Sequence, residues 1–243
     1  MDISKIKIIM FDTFGTVMDW HGAIVETGIC LGNKYGFSID WHSFANSWRV
    51  EGYTNAVDEI VKGLRPVEKI DVLNKRKLLE LIERYGITFI SPEDIEQLNL
   101  IWHRLTPWCD SLPGLLQLSK KYMLGPFSNG DFRLLLDMEK YWNLPWDFII
   151  SGQMFNKFKP DPTIYMDAVN LLGGKSQEIL MVSAHPADLD GAANAGISTA
   201  YIPRPFEFGK YSGGYVEPQN KIKTKPNLIV SDFVCLANIL GTC

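Results

Sequence analysis

Residues 6–16 of the chain read IKIIMFDTFGT, an apolar run that stops abruptly at an aspartate. Residues 6–11 are almost all apolar, a pattern typical of a short parallel strand that is buried on both faces. Asp12 follows directly, and the polar turn after it contains Gly15 and Thr16. In open α/β sheets, ligands bind beyond the carboxyl ends of the strands. The stretch therefore predicts a central strand whose end presents a carboxylate to a binding site.

Further short apolar runs occur later in the chain, at residues 123–127, 146–150, 179–182, 199–202 and 227–230. Helical patterns separate several of them, at residues 132–142, 163–172 and 187–195. Pro162 and Gly196 are helix-start and helix-stop signals at two of these helices. Alternating strands and helices indicate a doubly wound parallel sheet, so we expect the α/β fold class.

Residues 19–113 show a different pattern. Helical periodicity is found at residues 21–36, 40–52, 56–64, 67–85 and 92–105, and no strand run is convincing there. Such a stretch is too long for a simple crossover between two strands. We interpret it as a helical cap subdomain, inserted into an α/β core domain that comprises residues 1–18 and 114–243.

Composition and charge argue against several kinds of partner and compartment. The formal net charge of −4 gives no electrostatic reason to expect nucleic acid or an anionic membrane as a partner. No apolar run reaches the roughly 18 residues of a membrane span, and the N-terminus lacks the features of a signal peptide. The cysteines are widely spaced, without a CxxC pair (Cys30, Cys109, Cys235 and Cys243). We therefore expect reduced thiols in a cytoplasmic protein, with neither disulfides nor a zinc site.

Polar side chains follow three of the predicted strands and also occupy one loop. They are Asp12, Thr16, Ser128, Asn129, Ser183, His185 and Asp188 at strand ends, and Lys159 in the loop before a helix. Any one of them alone fits ordinary turn or capping chemistry. Parallel strands would bring the whole set to one edge of the sheet, so together they predict an active site.

Four segments, in this order, resemble the signature segments of the haloacid dehalogenase superfamily. They are FDTFGT (11–16), FSNG (127–130), KPDPTIY (159–165) and VSAHPADLDGAANAG (182–196). In the predicted cap, SFANSWRVEGY (43–53) resembles the helix that carries a site arginine in the 2-haloacid dehalogenase branch. The resemblance covers nearly the whole chain. It implies a hydrolase whose nucleophile is Asp12.

Two positions separate the phosphatases of that superfamily from its dehalogenases. Phosphatases carry a second aspartate where this chain has Phe14, which cannot transfer a proton. Ala184 stands where a magnesium-binding aspartate is usual, and a methyl group cannot ligate a hard cation. Phosphoryl transfer depends on such an ion, so a magnesium-dependent phosphatase is disfavoured. The resemblance instead implies displacement of a leaving group from C2 of a short 2-substituted carboxylate, through an ester on Asp12 and without a metal or other cofactor.

The resemblance also implies roles for the other residues. Thr16 and Lys159 would hold and polarise the nucleophile, while Asp188 would orient Lys159 or activate water. Ser128 would donate to the substrate carboxylate and Asn129 to the leaving group, with Arg49 binding the departing halide. The remaining expected contacts are aromatic: Phe14, Trp20 and Trp48 as an apolar wall, and Tyr165 beside the site. We expect a small carboxylate as the ligand; a homodimer is common in the branch, although the sequence itself shows no interface signal.

Two departures from the family pattern leave alternatives open. His185 stands where the best-known 2-haloacid dehalogenases carry an asparagine, two residues after Ser183. It would be either a water-activating base or a structural residue. Glu51 lies two residues after Arg49, and an acid there suits a cationic leaving group better than a halide. The superfamily that the chain resembles includes a hydrolase that opens azetidine-2-carboxylate, so hydrolytic ring opening of such a cyclic 2-carboxylate is the alternative function. A position facing solvent, or an ion pair with Arg49, is nevertheless the more common outcome for an acid on a helix.

Overall fold

The computed structural model describes residues 2–210 and 222–242. Its strands are β1 (Ile8–Phe11), β2 (Met18–Asp19), β3 (Thr106–Pro107), β4 (Met123–Ser128), β5 (Ile150–Ser151), β6 (Ile179–Ser183), β7 (Ser198–Tyr201) and β8 (Leu228–Ile229). Six of them form one parallel sheet in the order β5-β4-β1-β6-β7-β8. The predicted doubly wound α/β fold is confirmed.

The α-helices of the described residues lie between and around these strands. They are α1 (Trp20–Tyr35), α2 (Trp41–Ser47), α3 (Asn55–Val61), α4 (Ile70–Arg84), α5 (Pro92–Asn99), α6 (Ser111–Leu118), α7 (Phe132–Trp142), α8 (Ile164–Leu171), α9 (Pro186–Asn194) and α10 (Phe233–Ile239). A π-helix spans Trp48–Thr54, and 3-10 turns include Ile3–Lys5, Leu100–His103, Gly152–Phe155 and Ser176–Glu178. None of the helices described here has both the length and the apolar character needed to cross a bilayer.

Strand β1 is central, and both of its faces are covered. Ile9 and Phe11 pack into the cluster that includes α6, α7 and α10, whereas Ile8 and Met10 pack into the cluster that includes α8 and α9. Burial on both faces explains why this strand is a continuous apolar run rather than an alternating one. The backbone N–H of Asp12 donates to the carbonyl oxygen of Val182, 3.0 Å away, so the carboxylate emerges between β4 and β6.

Helices α1 to α5, with the π-helix and the 3-10 turn at Leu100–His103, lie between β2 and β3, and we call this part the cap. Strands β2 and β3 pair antiparallel at its base, where Met18 lies opposite Pro107. Residues 106–107 therefore form a short strand that the pattern did not indicate. The predicted helix 40–52 is also interrupted, because α2 ends at Ser47 and the π-helix follows it.

Candidate active site

Asp12 is buried and anionic. Among the described residues, Thr16 Oγ1 donates to its Oδ2 at 2.7 Å, His185 Nδ1 lies 2.9 Å from the same oxygen, and Lys159 Nζ donates to Oδ1 at 3.0 Å. Burial alone raises the pKa of Asp12. The charges of Lys159 and His185, with the hydrogen bonds from His185 and Thr16, outweigh burial and hold that pKa well below its usual range.

The turn after β1 has a shape that only glycine allows at its centre. Gly15 has a φ of +84°, and a Cβ atom there would lie 2.1 Å from Oε1 of Glu207. The turn directs the Thr16 hydroxyl toward Asp12, and the same hydroxyl accepts a hydrogen bond from the backbone N–H of Ala184 at 2.9 Å. Thr16 thus connects the ends of β1 and β6.

Lys159 lies between two carboxylates. Its Nζ is 3.0 Å from Asp12 and 2.6 Å from Oδ2 of Asp188, whose other oxygen accepts from the hydroxyl of Tyr165 at 2.9 Å. Burial lowers the pKa of Lys159, but attraction to Asp12 and Asp188 raises it by more, so the ammonium stays charged. The side-chain amide of Asn129 bonds both the N–H and the carbonyl oxygen of Lys159, at 2.7 and 3.0 Å.

His185 lies between Asp12 and Glu207. Its Nε2 is 3.1 Å from each carboxylate oxygen of Glu207, and Oε1 of that residue also accepts from Nε1 of Trp20 at 3.0 Å. Burial lowers the pKa of His185, but Glu207 and Asp12 raise it well above its ordinary value. The ring is therefore an imidazolium that donates to both carboxylates while Asp12 is ionised.

Glu207 is the functional candidate that sequence reasoning missed. The stretch 206–225 carries none of the patterns that indicated the other site residues, yet Glu207 is buried and lines the pocket together with Phe208. Residues 211–221 of that stretch lie outside the described residues. The available signal was an acid shortly after the end of β7, at the same sheet edge as Asp12. No motif marked it.

Arg49 enters the site from the π-helix of the cap. Its guanidinium carbon is 4.0 Å from the centre of the Tyr53 ring and 5.5 Å from that of Phe14. One terminal nitrogen, Nη1, is buried and has no hydrogen-bond partner among the described residues. A buried guanidinium with an unused donor is suited to receiving an anion.

These groups line one cavity of about 160 Å³. Three carboxylates (Asp12, Asp188 and Glu207) and three cations (Arg49, Lys159 and His185) line it, with apolar surface from residues that include Phe14, Tyr53, Val57, Pro160 and Phe208. The charges cancel when His185 is protonated. A cavity of this size is far smaller than the pockets of drug-sized ligands, so it is suited to a small molecule.

The donor set does not fit the magnesium ion that many relatives of this fold use. The Ala184 methyl group stands at one expected ligand position. The two oxygens of Asp12 are already engaged by Lys159 on one side and by Thr16 and His185 on the other. Within residues 2–210 and 222–242, no cluster of three or more histidine, cysteine or acidic side chains is placed to hold a metal ion.

The expectation that Glu51 faces the leaving group is wrong. Its carboxylate pairs with the guanidinium of Arg84 at 2.8 and 2.9 Å and with Lys77 at 3.5 Å, on the outside of the cap. Residues two apart on a helix point in different directions, so Glu51 cannot share the inward direction of Arg49.

Other expected contacts lie behind the cavity wall. Trp48 packs inside the cap and donates to the carbonyl oxygen of Asn74 at 2.8 Å, while Trp20 donates to Glu207. Contrary to our expectation, neither tryptophan lines the cavity. Ser183 Oγ accepts from the N–H of His185 at 3.0 Å, a supporting contact. Ser128 Oγ accepts from the N–H of Gly130 at 3.2 Å, and its bond to a substrate stays a prediction.

The free thiols among the described residues are Cys30, Cys109 and Cys235, and Cys243 lies outside that range.

Comparison with known proteins identifies the family of the chain. The family model for haloacid dehalogenase-like hydrolases matches residues 6–196. An (S)-2-haloacid dehalogenase of Pseudomonas putida is 26% identical, over 98% of both chains, and one of Burkholderia cepacia is 24% identical over 83% of this chain and 85% of that protein.

Solved structures give the same result. The crystal structure of a defluorinating L-2-haloacid dehalogenase is 33% identical and has a TM-score of 0.86, covering 97% of this chain and 95% of that one. A second L-2-haloacid dehalogenase is 31% identical with a TM-score of 0.85, covering 97% and 100%. The chain therefore belongs to the haloacid dehalogenase-like hydrolase family, and it is a hydrolase that resembles the L-2-haloacid dehalogenase branch.

Proposed function

We propose that this hydrolase removes the halogen from short (S)-2-haloacids through an ester on Asp12, without a metal ion. The observation that carries the proposal is a buried carboxylate anion on one side of a small cavity and a buried guanidinium with a free donor on the other. The first group suits attack on carbon, and the second suits an anionic leaving group. The relatives named above are dehalogenases, which supports this choice of substrate class.

In the first step, an oxygen of Asp12 attacks C2 of the substrate. Oδ1 accepts one of the hydrogen bonds described above and Oδ2 accepts the other two, so Oδ1 keeps more of its lone-pair density free. The new Asp12–C2 bond forms as the carbon–halogen bond breaks, and the electron pair leaves with the halide. Arg49 receives the halide, and the rings of Tyr53 and Phe14 exclude water that would solvate the nucleophile.

In the second step, water attacks the Cγ atom of the esterified Asp12. Ester formation removes the charge of Asp12, which is one of the two carboxylates that raise the pKa of His185. The imidazolium can then release its proton to solvent and accept a proton from the attacking water. Collapse of the tetrahedral intermediate returns that proton to the departing 2-hydroxy acid, and the second proton of the water passes from Asp12 to His185, which restores the carboxylate and the imidazolium. Asp12 retains one oxygen from water.

The experiment that tests the proposal is a single turnover in oxygen-labelled water, followed by mass analysis of the peptide that contains Asp12. We expect halide release from 2-chloropropionate in the presence of a chelator, and label in the Asp12 carboxylate. Because one similar enzyme is defluorinating, 2-fluoropropionate belongs in the same panel. Halide release without label in that peptide would contradict the ester, and Asp12→Asn serves as the inactive control.

Ring opening of a cyclic 2-carboxylate such as azetidine-2-carboxylate is the second candidate. Glu207 favours it, because this carboxylate lines the cavity and a protonated ring nitrogen would be attracted to it. Arg49 opposes a cationic leaving group, so we rank halide displacement first. Turnover of azetidine-2-carboxylate without any halide release from haloacids would reverse that order.

A further inference from the structure

The turn after β1 at residues 12–18 is called the nucleophile turn below, and three consecutive carbonyl groups in it are each held by a side chain from elsewhere in the chain. Trp108 Nε1 donates to the carbonyl oxygen of Gly15 at 3.0 Å, Arg204 Nε to that of Thr16 at 3.0 Å, and Ser111 Oγ to that of Val17 at 2.8 Å. The backbone N–H of Trp108 also donates to Val17 at 3.1 Å. Backbone hydrogen bonds within the turn use the carbonyl groups of Thr13 and Met18, so the three side-chain donors hold carbonyl groups that those bonds leave free.

Arg204 is the most constrained of these donors. Its two terminal nitrogens form a bidentate ion pair with the carboxylate of Asp110, at 2.7 and 2.9 Å, and its Nε donates to the carbonyl oxygen of Thr16. The guanidinium lies 5.3 Å from the ring centres of both Trp108 and Phe233. Asp110 is held in turn by the backbone N–H of Phe233 at 2.9 Å. Both side chains of the pair are largely buried, at 9% and 14% exposure.

Arg204 and Asp110 line no part of the cavity, yet their contacts lead to the nucleophile in two steps. Arg204 holds the Thr16 carbonyl, and the Thr16 hydroxyl holds Asp12 at 2.7 Å. Asp110 lies three residues after β3, where the chain returns from the cap to the core. The Arg204–Asp110 pair therefore links the segment after β3, through Thr16, to the side chain that holds the Asp12 carboxylate.

We infer that Arg204, oriented by Asp110, is a positioning residue that fixes the nucleophile turn, so that the Thr16 hydroxyl holds Asp12 in line with the reacting carbon. This inference rests on the proposed function for its kinetic readout. An ammonium cannot replace the guanidinium, because it lacks the planar fork that bonds Asp110 twice while a third nitrogen bonds Thr16. Small displacements of a reacting group are costly even when their origin is remote from the chemistry.

The test compares Arg204→Lys and Asp110→Asn with Arg84→Lys, which alters a similar two-pronged pair on the outer face of the cap. We expect Arg204→Lys to slow ester formation and kcat about tenfold to hundredfold while KM changes little. Arg84→Lys should leave both unchanged. In a Thr16→Val background, the same Arg204→Lys change should lower kcat by about threefold or less, because the hydroxyl through which Arg204 acts on Asp12 is already absent.

If Arg204→Lys lowers the melting temperature but has the same kcat as Arg84→Lys, the inference is overturned. It is also overturned if the effects of Arg204→Lys and Thr16→Val on kcat are fully additive. If Arg204→Lys does not fold, Asp110→Asn decides by the same measurements. If the wild-type enzyme releases no halide from any 2-haloacid, the proposed function fails by itself. Amide exchange of residues 12–18 then decides on positioning, and unchanged protection in Arg204→Lys would contradict it.

Discussion

Replacing Lys159 with methionine removes the ammonium between Asp12 and Asp188 while keeping a side chain of similar length. The two carboxylates have side-chain exposures of 10% and 6%, so they cannot regain full hydration in place of the lost partner. Removing one member of a buried ion pair typically costs about 3–5 kcal/mol. We expect that loss in the free energy of unfolding at neutral pH, with a fall in melting temperature of roughly 6–20 °C.

Urea denaturation measures the effect, and Lys157→Met provides a matched control. Lys157 lies two residues earlier and pairs with Asp167 at 2.7 Å, but its side chain is 37% exposed. A pair of that kind contributes about 0–1 kcal/mol. The double variant Lys159→Met with Asp188→Asn should be more stable than Lys159→Met alone, since one of the two uncompensated charges is removed.

The loss of stability in Lys159→Met should depend on pH in one direction. The pKa of Asp12 is depressed in the folded protein, so its contribution to stability is present above its unfolded pKa and is lost as pH falls through the folded value. Lys159→Met removes much of that contribution, so its deficit should be largest at neutral pH and should shrink in acid. A deficit no larger than that of Lys157→Met, or one that grows on acidification, would refute this reasoning.

Other predictions concern the cap and the two half-reactions. Glu207→Gln should slow ester hydrolysis about 100-fold or more while ester formation continues, so that labelled ester accumulates in a quench assay; absence of any accumulation would count against a base that Glu207 supports. Arg49→Met should lower kcat/KM about 10- to 150-fold, with the size depending on the halide, and equal losses for every leaving group would contradict its halide contact. His103 bridges Asp71 of the cap and Asp137 of the core at 3.1 and 2.9 Å; burial lowers its pKa, but these carboxylates raise it above the ordinary value. The contribution of His103 to the free energy of unfolding should therefore be complete in mild acid and decline as pH rises through the folded pKa. Denaturation at several pH values should show that His103→Gln abolishes this pH dependence.

Local pattern was enough for the residues that belong to strand ends. Asp12, Asn129 and His185 each follow a buried apolar run, and parallel pairing brings such ends to one edge of the sheet. Lys159 depended instead on the resemblance of KPDPTIY to the family, and the structure attaches its loop to that edge through Asn129. Arg49 depended on the resemblance of its cap helix to that of the dehalogenase branch, because helical periodicity alone does not say what a helix faces.

The sequence by itself determined the sheet, because strands and their order follow from short-range periodicity, and the resemblance of its segments to the family singled out Asp12 and Lys159. Only the tertiary structure decided that Glu207 lies at the cavity and Glu51 does not. Glu207 reaches His185 from an irregular loop after β7, and Glu51 turns outward to Arg84. Both outcomes depend on contacts between parts of the chain that are distant in sequence, and neither a loop nor a single helical position encodes its partner locally.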